Sequence, residues 1–508
     1  MAALMHIADI VSWLQQHAPQ AQLTADSRKV QAGDVFVAYP CDGADGRAYI
    51  GDAVERGAIA ILLEADGNKA DASFVDVPHL AVADLKSLAG EIAAAWYAHP
   101  DRAMLTVAVT GTNGKTSCSQ WIGSALSRSI GPVAVIGTLG VGMYRDGAAG
   151  NFTVTGYTTP DAVQLQRALS ELAKHGAAAL AIEASSIGLH QQRMSGLHID
   201  IALLTNFTRD HLDYHGDMQT YEDAKTMLFD WPGLRHAIIN CDDAMGERLI
   251  ARLRANRPEV SVIAYGMSAR AVDGVDTLLA SEVRSSQNGT TFQLQWRDER
   301  SQVKTQLVGD FNVSNVLGIF GVLLARGITW RDAIAAVEAL TAVPGRMQQV
   351  GGVDAPLVVI DYAHTPDALE KALTSLHQVA DERGGKLWCV FGCGGDRDPG
   401  KRPQMGSVAM AADHVIVTTD NPRNENPEDI IAQVVAGIDT SHADMHIIED
   451  RATAILWACR NATRQDVILL AGKGHENYQE IKGRKLPFLD ADHAALALSS
   501  RAMQGAHG

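Results

Sequence analysis

The stretch TVAVTGTNGKTS, Thr106 to Ser117, decides how this chain reads. An apolar run ends in a Gly-rich turn. Lys115 and Thr116 then open a segment in which Cys118, Trp121, Ile122, Ala125 and Leu126 recur at helical spacing. Strand, turn and helix in that order gather backbone N–H groups around an anion. Gly111 and Gly114 permit the curl, Lys115 offers a point charge to β- and γ-phosphates, and the Thr116 hydroxyl suits Mg²⁺. One position departs from GxxxxGK[ST], because the first Gly would fall at Val109. A glycine turn beside a surface lysine is the alternative, and the strand–turn–helix context favours a nucleotide-phosphate site.

The same alternation extends outward. LTVAVTG, PVAVIGTLG, ALAIEASS, IALLTNFT, HAIINCDD and SVIAYG are short apolar runs separated by helical stretches, which predicts a doubly wound, largely parallel sheet. Before Asp101, VFVAYP, AIAILLEA and HLAVADL lead into the helical AGEIAAAWYAHP. After a hinge at AVPGRM, the arrangement repeats in LVVIDYAHTPD, LWCVFGCGGDRD, HVIVTTDNPR and VILLAGKGHE. The expected fold is α/β in three domains, in line with the 508-residue length. These are a small N-terminal α/β domain over 1–101, a central P-loop-type domain with a mainly parallel sheet over 102–345, and a C-terminal Rossmann-like domain over 346–508.

Composition narrows the function classes. With 46% apolar and 20% charged residues, the chain reads as an ordinary soluble globular protein. A net charge of −16 argues against nucleic acid or an anionic membrane as partner. MAALMHIADIVSWLQQH lacks the basic flank and long apolar core of a signal peptide, and no apolar run approaches the ~20 residues of a membrane span. Cys389 and Cys393 form a lone CxxxC, weak evidence for zinc, and the six cysteines read as reduced. Nothing opposes a cytoplasmic location.

Polar motifs follow the strands on their C-terminal side, the edge at which open α/β sheets bind ligands. Glu183 ends one strand beside the phosphate loop and suits either a Mg²⁺ ligand or a helix cap. TNFTRDHLDYHG concentrates Asp210, His211, Asp213 and His215. Histidines four apart would share a helix face and could hold zinc, but the oxygen-rich setting fits Mg²⁺ with a triphosphate better. Lys225 in YEDAK reads by itself as a lysine on an amphipathic helix. Asp420-Asn421-Pro422-Arg423 follows another strand, where Arg423 is either a solvated charge or a bidentate carboxylate clamp. Arg397 and Glu476 fall on the same edge, giving the cationic and anionic partners that an amino acid requires.

These motifs, in this order, resemble the Mur ligases, ATP-dependent amide-bond-forming enzymes of peptidoglycan precursor synthesis, over nearly the whole chain. The resemblance implies that Gly111, Thr112, Asn113, Gly114, Lys115, Thr116 and Ser117 bind ATP, with Asn312 and Asn315 of the GDFN segment, Arg346 of PGRM, and Asp361 and His364 of DYAHTPD. It implies that Lys225 is carbamylated and that Thr116, Glu183, His211 and the Lys225 carbamate hold Mg²⁺. Lys115, Lys225, His211 and Glu183 would form the catalytic set. At the front, ADSRKVQAGDVFVA resembles the UDP-binding domain of the branch that extends a UDP-muramoyl-dipeptide. Ser27 would then contact uridine, while Thr158, Thr159, Ser185, Gln191 and Arg193 hold UDP-N-acetylmuramoyl-L-alanyl-D-glutamate. Members with DNPR add meso-diaminopimelate, which places Arg397, Asp420, Asn421, Pro422, Arg423, Gly472 and Glu476 around that amino acid. Ile187 in SSIGL, where many relatives have His, and Asp42-Gly43 near the uridine depart from the family pattern.

The implied chemistry is transfer of the ATP γ-phosphoryl group to the D-glutamate γ-carboxylate, followed by attack of the diaminopimelate amine on the acyl phosphate. The expected working form is a monomer. Rival readings are a lysine-adding ligase, a folylpolyglutamate-type synthetase, and a P-loop switch or motor that turns over nucleotide without an acceptor amine.

Overall fold

Strands whose residues are apolar at every position must be covered on both faces, and this chain does so three times. The computed structural model describes residues 5–41, 43–65, 76–268, 271–286, 288–439 and 444–505; Asp42 lies outside them. Among the described residues there are a four-stranded, an eleven-stranded and a six-stranded sheet, with a small hairpin near the end of the chain.

The eleven-stranded sheet carries the phosphate loop at its centre. Leu105–Thr110 lies between Ile201–Leu204 and Ala179–Glu183, both parallel to it. The parallel run continues to Val133–Gly137 on one side and, through His236–Asn240 and Ser261–Gly266, to Asp276–Ser286 on the other. Alternate residues feed two separate cores. Val107, Val109, Ala179 and Ala181 pack with Cys118, Trp121, Ile122, Ala125 and Leu126 of the helix Lys115–Ile130 and with the helix Asp310–Ala325. Ala108, Leu180 and Ile182 face Leu165, Leu169, Leu249 and Leu253 from the helices Ala162–Lys174 and Ala244–Asn256.

The predicted sheet was largely parallel. The observed one adds antiparallel edges, Gly289–Trp296 and Glu299–Thr305 on one side and Gly140–Arg145 and Ala148–Ala149 on the other. Those edge segments alternate polar and apolar residues because one face is solvated, so they lack the continuous apolar run of the buried strands.

The first sheet is parallel throughout, with Leu23–Thr24, Val35–Ala38, Ala60–Glu64 and His79–Val82 in order. The third places Leu357–Asp361, Val467–Ala471, Leu387–Phe391, His414–Val417 and Asp444–Ile447 in parallel, with Gln348–Gly351 antiparallel at one edge. The second and third sheets turn their C-terminal strand ends towards each other. Asn113 in the phosphate loop donates to Asp367 at the start of the helix Pro366–Arg383 (3.1 Å), and Arg346 reaches the Thr116 hydroxyl (3.1 Å).

Candidate active site

Gly111 and Gly114 have φ of +146° and +85°, and a Cβ on Gly111 would collide with the Thr205 hydroxyl. Asn206 holds the N–H groups of Thr112 (2.8 Å, through its carbonyl) and Asn113 (2.9 Å, through Oδ1). An anion is therefore left to the start of the helix at Lys115 rather than to the whole loop. Lys115 folds back and donates to the carbonyls of Gly111 and Thr112, each at 2.8 Å. Burial pulls its ammonium below the usual lysine range, while Glu183 and Asp210 oppose that shift.

Glu183 is fully buried and caps no helix; the helix Ser186–His190 is capped by Ser185, whose hydroxyl accepts from the Gly188 N–H. Its carboxylate instead accepts from the Thr138 N–H (2.8 Å), the Thr138 hydroxyl (3.1 Å) and the Thr116 hydroxyl (3.1 Å). Burial raises its pKa against the lowering effect of these donors, Lys115 and Arg346. Arg346 stacks over the Tyr362 ring at 4.4 Å, and its buried Nε lacks a hydrogen-bond partner among the described residues.

The two histidines expected on one helix face are separated. His211 precedes the four-residue helix Leu212–His215 with φ +53°, in the left-handed region, whereas His215 points to the Ser186 hydroxyl (3.0 Å). Burial holds His215 neutral, with a pKa pushed down to about 4. The shared-face zinc arrangement is thus not formed, because the turn begins after His211. Among the described residues no group of three or more His, Cys, Asp or Glu side chains is placed to hold a metal, and Cys389 and Cys393 are free and buried. Asp213 is exposed. Burial works to raise Asp210, but His211, His364 and Lys401 hold it below the ordinary carboxylate range.

Lys225 is no surface lysine. On the helix Met218–Thr226 it is 1% exposed, donates to the Gly111 carbonyl (2.7 Å) and lies 4.5 Å from the Tyr221 ring centre. Burial and the neighbouring Lys115 ammonium drive its pKa well below the usual value.

Two further clusters flank this centre. Thr159, Ser185, Gln191 and Arg193 form a chain: Thr159 Oγ1 meets Ser185 Oγ (2.8 Å), Arg193 donates to the Thr159 carbonyl (3.0 Å) and to Gln191 Oε1 (2.9 Å). Thr158 joins through Thr138 (3.1 Å). Ser27 sits apart, buried at the start of a short 3₁₀ turn. Its neighbours Asp26, Arg28 and Lys29 share a cavity of about 480 Å³ with Asp161, Gln164 and Arg167 of the central domain. Ile187 lies in the helix that Ser185 caps.

On the third sheet, Asn421 donates to Glu476 (2.7 Å), and Gly472, with φ +108°, passes so close to Asp420 that a Cβ would stand 2.5 Å from its carboxylate. Arg423 donates to the Gly395 carbonyl (2.6 Å), and its Nε lies 3.6 Å from Glu480. Pro422 is buried and Arg397 exposed. Arg402, almost wholly buried, ties the two loops together by donating to Glu425 (2.8 Å) and to the Gly394 carbonyl (3.2 Å).

Between the facing sheets lies a cavity of about 520 Å³ lined by Asn113, Gly114, Ser117, Asn312, Asn315, Arg346 and Asp361 together with Asp242, Lys371 and Gln378. His364, its pKa lowered by burial to about 4, and the cluster of Asp420, Asn421, Arg423 and Glu476 are outside that lining. Sequence reasoning missed Asn206, Thr138 and Lys473. Asn206 and Lys473 stand inside motifs already singled out, TNFTRDHLDYHG and GKGHE, whereas Thr138 follows a strand with no polar pattern to mark it.

Comparison with known proteins agrees with this geometry. Residues 21–97 match the Mur ligase family catalytic domain, 109–323 the Mur ligase middle domain, and 345–474 the Mur ligase glutamate ligase domain. The chain is 68% identical over 500 residues to a UDP-N-acetylmuramoyl-L-alanyl-D-glutamate–2,6-diaminopimelate ligase of Janthinobacterium sp. (strain Marseille), covering 98% of each chain. It is 51% identical to the protein of the same name from Ralstonia nicotianae, covering 97% of this chain and 96% of the other. A solved structure of a ligase with that name superimposes with a TM-score of 0.65 at 36% identity, covering 95% of both chains. Three matched domains, near-complete coverage and a phosphate loop facing a second sheet edge lead to one conclusion: the chain belongs to the Mur ligase family.

Proposed function

We propose that this chain joins meso-2,6-diaminopimelate to the D-glutamate γ-carboxylate of UDP-N-acetylmuramoyl-L-alanyl-D-glutamate, consuming ATP and releasing ADP and phosphate. The observation that carries this reading is that one sheet edge, the one facing the phosphate loop, carries both a cation, Arg423 held on the Gly395 carbonyl, and a carboxylate, Glu476 held by Asn421. One edge suits a nucleotide; the other suits an amino acid with a second carboxylate.

A carboxylate and an amine do not condense in water, so the γ-carboxylate first attacks the γ-phosphorus of ATP. ADP leaves and an acyl phosphate remains. The diaminopimelate amine then attacks the acyl carbon and phosphate departs, leaving the amide. Lys115 and the helix start behind it bear on the charge of the transferring group. Asn312, Asn315, Arg346 and Asp361 line the space for the nucleoside. Thr158, Thr159, Ser185, Gln191 and Arg193 would orient the dipeptide, and Ser27 the uridine at the far end. Closure of the third domain over the second excludes the water that would hydrolyse the acyl phosphate.

The hydroxyls of Thr116 and Thr138 around the Glu183 carboxylate form a hard-oxygen set that fits Mg²⁺. Thr116, Glu183 and His211 would hold Mg²⁺, and Lys225 as its carbamate would organise a second Mg²⁺. Bound there, Mg²⁺ would neutralise charge on the transferring phosphoryl group. Carbamate formation needs an uncharged amine, and burial beside Lys115 lowers the Lys225 pKa in that direction. We read the working form as a monomer that acts in the cytoplasm. Phosphate release should be measured with the UDP-dipeptide and diaminopimelate, lysine or no amino acid. Turnover that needs diaminopimelate is expected; equal turnover without any amine would identify a nucleotide hydrolase instead.

A further inference from the structure

Lys473 has no exposed surface, yet its ammonium is fully satisfied. It donates to Asn421 Oδ1 (3.1 Å), Glu476 Oε2 (3.1 Å) and the Tyr478 carbonyl (2.7 Å), three acceptors for three N–H bonds. Asn421 Oδ1 also accepts from the Glu480 N–H (3.0 Å), so its amide nitrogen is turned to Glu476 Oε2 at 2.7 Å. Glu476 Oε2 is thereby held twice, while Oε1 has no partner among the described residues.

We infer that Lys473 is a positioning residue for the acceptor amino acid, holding Asn421 and Glu476 so that one carboxylate oxygen is presented to the incoming ammonium group. This inference rests on the reading of the cluster as the acceptor site.

The charges around Glu476 show why a cation is needed. Asp420 faces it from the loop after His414–Val417, and burial together with Asp420 pushes Glu476 above the ordinary carboxylate range; Lys473 and Asn421 oppose that. Tyr362, at the end of Leu357–Asp361, contributes a phenol whose pKa is raised by burial. Tyr478 contributes its ring and carbonyl. The adjacent His475 is held neutral by burial, at about 3. Arg451 feels both carboxylates from the helix Arg451–Asn461, but its fork is closed on Asp490 (2.7 and 2.8 Å). Among the described residues, Lys473 is the cation in direct contact with Glu476. Without it, Glu476 takes up a proton at higher pH and loses its attraction for an ammonium group.

The test is steady-state kinetics of the full-length enzyme across pH 6–9, with ATP and UDP-dipeptide saturating. Lys473→Met should raise KM for diaminopimelate at least about 30-fold at neutral pH, the low end for removing one partner of a buried charge pair, with KM for ATP within about twofold. The acid limb of kcat/KM for diaminopimelate should move up by about one pH unit or more. In a Glu476→Gln background the same change should add less than about threefold. An unmoved acid limb, or full additivity with Glu476→Gln, overturns the inference. If Lys473→Met does not fold, Lys473→Arg decides: the acid limb should stay where the wild type has it, and a shifted limb overturns the inference. A wild type that does not use diaminopimelate would refute the reading of the cluster itself, visibly and before any variant is made.

Discussion

Replacing Arg423 with Ala separates acceptor choice from the phosphoryl chemistry. Arg423 is 21% exposed, with one amino group on the Gly395 carbonyl and its Nε 3.6 Å from Glu480. A distal carboxylate can take the open side of this fork, and lysine has none to offer. Hydrogen bonds to charged groups contribute ~1.5–3 kcal/mol each, so losing two amounts to about 3–6 kcal/mol. At ~1.4 kcal/mol per decade that is about 10²- to 10⁴-fold in kcat/KM for diaminopimelate. Glu480, which Arg423 formerly balanced, is then left facing the substrate carboxylate, which adds repulsion. Arg423→Lys should fall between, because it keeps the charge and loses the fork. The backbone at φ +50° is shared by all three residues, so local strain changes little. The assay is kcat/KM for diaminopimelate and for lysine in wild type and both variants, with nucleotide affinity measured alongside. An unchanged ratio of the two amino acids in Arg423→Ala would refute the clamp, as would an equal loss of ATP affinity.

Lys115→Ala should retain its fold and lose at least about 10²-fold in kcat, as expected for one group stabilising transition-state charge; circular dichroism and phosphate release check both halves. Lys225→Ala should be nearly inactive and regain some turnover with short carboxylic acids at high concentration, and full activity without them would remove the carbamate role. Arg451→Met leaves the fully buried Asp490 unpaired, which should cost about 3–5 kcal/mol in denaturant unfolding. His215 and His364 have folded pKa values of about 4 against 6.5 when unfolded, so the unfolded chain binds more protons between those values. Stability should therefore fall as pH drops from about 6.5 towards 4, and His215→Gln should flatten that slope in urea titrations.

The sequence by itself determined the α/β class, the phosphate loop and the sheet edge on which the ligands meet. Those features follow from short-range rules. A strand buried on both faces must be apolar throughout, and a turn at positive φ selects Gly111 and Gly114. What lay beyond it is equally particular. Lys225 reads as an ordinary lysine on its helix and Lys473 draws no reading at all, and only the packing of Tyr221, Gly111, Asn421 and Glu476 around them removes the water. His211 and His215 have helical spacing, but the helix starts one residue too late for them to share a face. Asn206 accepts from two N–H groups of the loop, that of Asn113 lying 93 residues away in sequence, a pairing set by the parallel register of Ile201–Leu204 with Leu105–Thr110. Burial and charge proximity are sums over distant segments. They become definite once the sheets have twisted and docked, and that is the part the tertiary structure alone decided.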